Sequence, residues 1–460
     1  MDPACEVSIA SAPMIVRSRN VIGHDAASIH IDGDRIARIG AYDDVTPDVI
    51  DYGNLVLMPG IVDSHVHINE PGRTEWEGFE TATRAAAAGG VTTVVDMPLN
   101  SIPPTTSVAA LMTKAEAMSG KCRVDVGLWG GAVPGNAPQL RDMLAHGALG
   151  FKCFLIDSGV AEFGHLDARE LEDALRAMRG TNAPLLVHAE VPVEDRRPRL
   201  SEVTLDRRGR LSSIGSSYAA YLQSRPHEME DEAITLVAQL TNKIETRAHI
   251  VHLSSANAID IVRRAKHVTA ETTPHYLHFE AESIPDGAPQ FKCAPPIREH
   301  ENREQLWRGV RDGELAGIVS DHSPCTPELK KLAEGDIERA WGGISSLQFG
   351  LSIIWTEEKR RGVKLDDVSR LMSEGPASIA GLDRRKGKLA AGYDADIIVF
   401  DPDAQFVVES DIVEHRHKVT PYEGETLRGV VRATFVRGRK VWEDGAHIGA
   451  PSGQWLTSAI

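Results

Sequence analysis

The sequence predicts an α/β protein: a (β/α)8 TIM-like barrel carrying a small β-sandwich domain built from both chain ends. Three observations predict it. Eight short apolar runs occupy the middle of the chain, helical patterns separate most of them, and alternating strand-and-turn patterns are confined to the two ends. The expected division places 1–57 in the first part of the small domain, 58–386 in the barrel and 387–460 in the second part of the small domain. A chain of 460 residues is long enough for one large domain and a smaller one.

The ends read as β-structure. Ala27-Ser-Ile-His-Ile-Asp alternates, meets Gly33-Asp34 and continues as Arg35-Ile-Ala-Arg-Ile, the pattern of a hairpin. Ala395-Asp-Ile-Ile-Val-Phe-Asp, Val430-Val-Arg-Ala-Thr-Phe-Val and Arg439-Lys-Val-Trp read as short strands near the other end. A stable sheet needs three or more strands with an apolar face, so the simplest arrangement pairs the two ends with each other.

The eight central runs are Ile61–Ile68, Thr92–Leu99, Val124–Ala132, Leu149–Leu155, Pro184–Glu190, Ala248–Leu253, Val268–Thr273 and Ala316–Asp321. Helical patterns such as Phe79–Ala88, Leu171–Met178 and Ala258–Lys266 lie between them. Repeated strand–helix alternation implies a parallel sheet. Eight units in roughly 270 residues match a barrel, which typically takes about 250. A doubly wound open sheet is the alternative, but no Gly-x-Gly-x-x-Gly opens a helix after the first strand. Residues 192–225 form a polar, arginine-rich insertion after the fifth strand, read as a solvated excursion, a lid or an interface.

Composition narrows the function. Hydrophobic residues make up 42% and charged residues 25%, an ordinary globular balance. The formal net charge of -16 argues against a nucleic-acid partner, which needs a basic face. No apolar run of about 18 residues suggests a membrane span, and the first residues lack the pattern of a secretory signal. Five cysteines (Cys5, Cys122, Cys153, Cys293, Cys325) show no metal-finger spacing, so reduced thiols and a cytoplasmic location are expected.

The strongest chemical signal is Asp63-Ser-His65-Val-His67 at the end of the first apolar run. Side chains alternate along a strand, so His65 and His67 share a face. A lone His-x-His is weak evidence, because it also occurs as a satisfied core pair. In a barrel, however, functional groups come from the C-terminal ends of several strands. Run five ends Leu186-Val-His188, run six ends Ile250-Val-His252 and run eight ends Val319-Ser-Asp321. Four ligand-bearing runs with the same placement point to a metal centre. By parity His249 faces away from it and reads as structural, His322 points away from Asp321's side, and His275 reads as core, with a place on the pocket wall as the alternative.

Run four contributes Lys152 in Gly150-Phe-Lys-Cys-Phe-Leu-Ile. A lysine inside an apolar strand is costly unless paired or neutral. One reading is a lysine whose ammonium reaches the strand end. The other is an amine that has reacted with CO2, giving an anionic carbamate able to bridge two cations.

These motifs, in this order, resemble the cyclic amidohydrolases: dihydroorotases, hydantoinases and allantoinases. Pro59-Gly-Ile-Val-Asp-Ser-His-Val-His, Lys152, Val187-His-Ala-Glu, Val251-His-Leu-Ser, Glu271-Thr-Thr-Pro-His, Ser320-Asp-His-Ser-Pro and Gly387-Lys-Leu carry the resemblance. It implies a binuclear centre, with His65, His67 and Asp321 on one divalent metal, His188 and His252 on the other, and carboxylated Lys152 between them. Zinc is the default, with cobalt, nickel, manganese and iron as alternatives. It also implies that Asp321 is the catalytic acid–base group, that CO2 is needed for Lys152, that the substrate is a small cyclic ureide, and that the assembly is a homotetramer. A non-catalytic scaffold relative is the distant alternative; every expected ligand type is present.

Within the family, the loops resemble those of allantoinases, among them Asn69-Glu-Pro-Gly-Arg73-Thr-Glu-Trp, Met97-Pro-Leu-Asn100, Ser224-Arg-Pro226 and Lys292-Cys-Ala-Pro-Pro-Ile-Arg298. Dihydroorotases grip the substrate carboxylate at three positions, which here hold Asn69, Ala294 and Cys325. Arg73 is the residue that could replace that grip. Hydantoinases and dihydropyrimidinases carry a tyrosine just after the bridging lysine, which the run after Lys152 lacks. Asn69, Asn100 and Ser323 are the expected hydrogen-bonding partners of a neutral ureido arm.

Overall fold

The computed structural model describes residues 14–44, 48–193, 214–358 and 360–457. Cys5 and positions 194–213 of the expected insertion lie outside the described residues.

All eight expected strands form. They are Ile61–Val66, Val91–Asp96, Asp125–Leu128 with its continuation Gly130–Gly131, Phe151–Phe154, Leu185–His188, Ala248–Ile250, Val268–Thr272 and Gly317–Ile318. Each pairs in parallel with the next. Strands one to three form one sheet, and the continuation of strand three through strand eight forms another. Trp129 separates the two halves of strand three. Its backbone N–H donates to Asp96 O at 3.0 Å, and Gly130 N–H donates to Gly150 O at 2.9 Å, so hydrogen bonding runs on across the break. At the outer edges a single parallel bridge joins Val66 to His322. Strand one is buried along its whole length, as are strands two to five, which is what a parallel sheet covered on both faces requires.

Helices cover the sheets. Phe79–Ala88 follows strand one, and Ala168–Met178 begins at Asp167, which forms a reciprocal capping box with Glu170. The expected helix at 258–266 is shorter, a 3-10 turn Ala256–Ala258 followed by Ile259–Arg264.

The two chain ends share one sheet. Val56–Pro59 pairs antiparallel with Ile397–Val407, placing Met58 opposite Ile398. The predicted hairpin, Ala27–Asp32 with Arg35–Ala41, forms in a second sheet with Met14–Ser18 and Val49–Asp51. Val16, Ile29, Leu57, Ile397, Val399 and Phe435 bury a common core between the two sheets. A short strand that sequence reading did not single out, Trp455–Leu456, returns to pair with strand three.

An ionic joint fastens the C-terminal segment to strand three. The fully buried Lys386 ammonium lies 2.6 Å from Asp125, 3.0 Å from Asp394 and 2.7 Å from Asp396. Arg437 also reaches Asp125. Burial penalises the Lys386 charge, yet the three carboxylates outweigh it and raise its pKa. Removing the cation strands buried carboxylates, which costs about 3–5 kcal/mol. Lys386→Met is therefore expected to lose about that much unfolding free energy in urea titration. An unchanged midpoint and slope would show that the carboxylates find other partners.

A second joint is sensitive to pH. His278 Nδ1 lies 3.0 Å from Glu357 and Nε2 lies 2.6 Å from Glu425. Burial lowers the imidazole pKa, but hydrogen bonds to the two carboxylates outweigh it and raise it to about 9 from 6.5. A raised folded-state pKa stabilises fully below the unfolded value and fades as pH passes the folded one. Wild-type stability is thus expected to fall relative to His278→Gln between pH 6.5 and about 9. Parallel urea titrations of the two proteins across that window, showing a constant difference, would contradict it.

Candidate metal centre

The six expected ligand residues come from five strand ends, and backbone conformation decides how they meet. Lys152 lies in strand four and His188 closes strand five. His65 lies in strand one and His67 just beyond it. His252 and Asp321 lie past the ends of strands six and eight, with φ of 40° and 46°. Left-handed backbone at a non-glycine residue costs of order 1–3 kcal/mol and persists only where surroundings over-determine it. Of the six non-glycine residues with positive φ among the described residues, two are expected ligands.

The groups converge. His65 Nε2 lies 3.1 Å and His67 Nε2 3.4 Å from Asp321 Oδ1. His188 Nδ1 faces His252 Nε2 at 3.1 Å. The His65 and His252 rings are 5.3 Å apart, which joins the two pairs into one cluster. Lys152 is 1% exposed, and its side-chain amine makes no hydrogen bond or ion pair among the described residues; its Nζ lies 5.0 Å from the Phe154 ring, which stacks on His188.

A layer of carboxylates behind the cluster aims the imidazoles. Glu271 accepts from His65 Nδ1 at 2.8 Å, leaving Nε2 to point inward. His249, expected as structural, sits against the other Glu271 oxygen at 3.1 Å. Glu190 lies 2.7 Å from His188 Nε2, so Nδ1 faces inward. Asp63 accepts from the backbone N–H groups of His65 and Ser320. Sequence reading quoted Glu271, Glu190 and Asp63 within motifs but gave them no role; a carboxylate inside an apolar run beside a histidine is the signal that finds them. His322 turns away as expected, its Nδ1 accepting from Ser346 N–H. His275 is fully buried and does not line the cavity.

Electrostatics favour cation binding. Burial pushes the Asp321 carboxyl up, but His65, His67 and His252 outweigh it and hold it well below the usual range. Burial lowers His67 to about 4 and His252 well below its ordinary value. Burial also lowers Lys152 to about 8. Burial likewise lowers His188, whereas at His65 burial is outweighed by Asp321 and Glu271, which raise it. Three imidazoles pushed toward the neutral form, an ionised carboxylate and the buried His65 Nε2 are a donor set that fits zinc-like divalent ions. A second carboxylate group, Asp125, Asp394 and Asp396, is also close enough to hold an ion, but the Lys386 ammonium already fills it.

The cluster floors a cavity of about 1120 Å3. Asn100 and Ser323 line it, as expected. Ser323 Oγ also donates to Asp321 Oδ1 at 3.1 Å, and Gly343 packs so closely on it that a Cβ there would lie 2.4 Å from Ser323 O. Asn69 departs from expectation: it is fully buried off the cavity, its Nδ2 donating to Pro324 O at 3.3 Å. The reason is local. Beyond the strand the chain turns, and alternation no longer sets side-chain direction. Arg73 is committed as well, with Nη1 on Asn100 O at 3.0 Å and Nη2 on Glu162 at 3.2 Å. Ala294 lines the cavity, whereas Cys325 does not.

Comparisons with known proteins agree with this geometry. The amidohydrolase family model matches residues 56–441. An allantoinase of Streptomyces avermitilis is 44% identical over 459 residues, covering 98% of this chain and 99% of its own. The allantoinase of Saccharomyces cerevisiae is 44% identical over 411 residues, covering 87% and 86%. Among solved structures, the L-hydantoinase (dihydropyrimidinase) of Arthrobacter aurescens matches with a TM-score of 0.87 at 30% identity, covering 96% of this chain and 99% of that one. A family match across most of the chain, and relatives this similar over nearly their full length, establish that the chain belongs to the amidohydrolase family, on the branch that contains the allantoinases.

Proposed function

We propose that this metal-dependent amidohydrolase opens the hydantoin ring of allantoin to give allantoate. One observation carries the reading. Four histidines, Lys152 and Asp321 meet beneath a cavity at which none of the three expected carboxylate-gripping positions supplies a grip: Ala294 lines the wall without a polar group, and Asn69 and Cys325 lie off it. Arg73 does not line that cavity, so it offers no substitute grip for a charged ring. The allantoinases at 44% identity support the same substrate.

His65, His67 and Asp321 would hold one divalent cation and His188 and His252 the other, with carboxylated Lys152 between them. When bound, such a pair of cations lowers the pKa of water and polarises the ring carbonyl. The chain's own groups do the rest. Asp321 accepts the proton of the attacking water and returns it to the ring nitrogen as the C–N bond breaks. Ser323 Oγ, donating to Asp321 Oδ1, holds that carboxylate in line. Glu271 and Glu190 fix which nitrogen of His65 and His188 faces the centre. Asn100 and Ser323 line the cavity wall, which supports the reading that they hydrogen-bond the ureido arm. Zinc is the proposed metal.

The frame of this reading is a closed barrel of residues 58–386, with 1–57 and 387–460 forming the small sandwich domain. The Val66–His322 bridge and the 2.8 Å hydrogen bond from His67 N–H to His322 O support closure between strands one and eight. Four free, buried cysteines are consistent with a cytoplasmic enzyme, and no helix among the described residues is long and apolar enough to cross a membrane. The homotetramer is carried over from the family resemblance.

The test is turnover by purified, zinc- or cobalt-loaded protein in bicarbonate, with allantoin, dihydroorotate, hydantoin and dihydrouracil side by side. Allantoate is expected from allantoin, with dihydroorotate untouched. Asp321→Asn should lower kcat by about 10²–10⁴-fold, and Lys152→Ala should lose both activity and bound metal. Turnover of dihydroorotate in place of allantoin would overturn the substrate assignment. Preference for hydantoin would favour the activity of the Arthrobacter aurescens neighbour.

A further inference from the structure

Two of the loop motifs, Ser224-Arg-Pro226 and Lys292…Arg298, lie outside the converging strand ends, yet one chain of contacts joins them to both His188 and His252. Arg225 Nη1 donates to Glu190 Oε2 at 2.5 Å, and that same oxygen lies 2.7 Å from His188 Nε2. The Arg225 carbonyl accepts from Arg298 Nη1 at 3.1 Å. Arg298 grips Glu230 Oε2 through Nη2 at 2.6 Å and Nε at 3.2 Å. The other Glu230 oxygen accepts the backbone N–H groups of Ser254 at 3.0 Å and Ser255 at 3.2 Å, just beyond His252. Glu190, Glu230 and Arg298 are all buried.

We infer that Arg225 is a positioning residue for His188, and so sets the affinity of the cation that His188 and His252 share. The inference rests on the binuclear reading above. Glu190 selects the inward-facing nitrogen of His188, but a carboxylate on a rotatable side chain needs its own anchor. Arg225 supplies it from the cavity wall, where its side chain remains 24% exposed. Its removal therefore disturbs ligand geometry more than it disturbs packing. Arg298 and Glu230 tie the Arg225 backbone to the turn just beyond His252, so one network reaches the His188 imidazole and the backbone that carries His252. His65 and His67 are held by other groups: Glu271 and Asp63 hold His65 through Nδ1 and its backbone N–H, and His67 donates its backbone N–H to His322 O.

This separation makes a selective prediction. Zinc binding by the full chain is titrated against a chelator, with metal content per chain and the melting temperature of the metal-free protein measured alongside. The wild type should take up two equivalents. Arg225→Met should weaken one of them by about tenfold to a hundredfold and leave the other unchanged. Arg225→Lys should recover part of the loss, because it keeps a cation beside Glu190. Unchanged affinity for both equivalents in Arg225→Met would overturn the inference while leaving the binuclear reading intact. Equal weakening of both, with a lower metal-free melting temperature in both variants, would reduce Arg225 to a support of the fold. A wild type that binds a single equivalent would overturn the binuclear reading itself, and this inference with it.

Discussion

The Asp63 carboxylate receives the backbone N–H groups of Ser320, at 3.1 and 3.2 Å, and of His65 at 3.2 Å. It thereby fastens strand one to the chain beyond strand eight. Everything at the centre depends on that tie, because it brings His65 and His67 against Asp321. Burial raises the Asp63 pKa to about 6, so the price of hiding this charge is visible in the structure. Backbone N–H donors offset it, as buried carboxylates require. The left-handed φ values at His252 and Asp321 belong to the same economy of constraints. Each is unfavourable alone, and each is flanked by anchored groups: Glu230 accepts the N–H groups of Ser254 and Ser255 beyond His252, and Ser323 Oγ donates to Asp321.

Much of this was legible in the sequence. Apolar runs of strand length located all eight parallel strands, and ligand-type residues just after those runs located the centre. Hydrophobic burial dictates the first, and the polarity of a barrel's C-terminal face dictates the second. The pairing of the two chain ends followed from the need of each for a neighbouring strand. What alternation could not give is the conformation after a strand stops. His252 and Asp321 sit there, and so does Asn69, whose expected place on the cavity went to a contact with Pro324. Glu271 and His65 are 206 residues apart, and Asp63 and Ser320 are 257 apart, so no local pattern connects them.

Selectivity on this account comes from commitments made away from the chemistry. Arg73 is drawn off by Glu162 and the Asn100 carbonyl, which removes a cation from reach of the ring and fixes a wall residue at once. Gly343 admits Ser323 only because it lacks a side chain. The buried Lys114–Asp96 pair grips Ile68, next to His67, from both sides: Asp96 accepts its N–H at 2.7 Å and Lys114 donates to its carbonyl at 3.0 Å. Loops that carry ligands and loops that shape the cavity are thus parts of one rigid frame.

The most direct measurement is anomalous scattering from crystals of the zinc-loaded protein. The account predicts two peaks, one against His65, His67 and Asp321 and one against His188 and His252, with added density on Lys152 Nζ between them. A single peak, an unmodified Lys152 remote from both, or an ion among Asp125, Asp394 and Asp396 would contradict it.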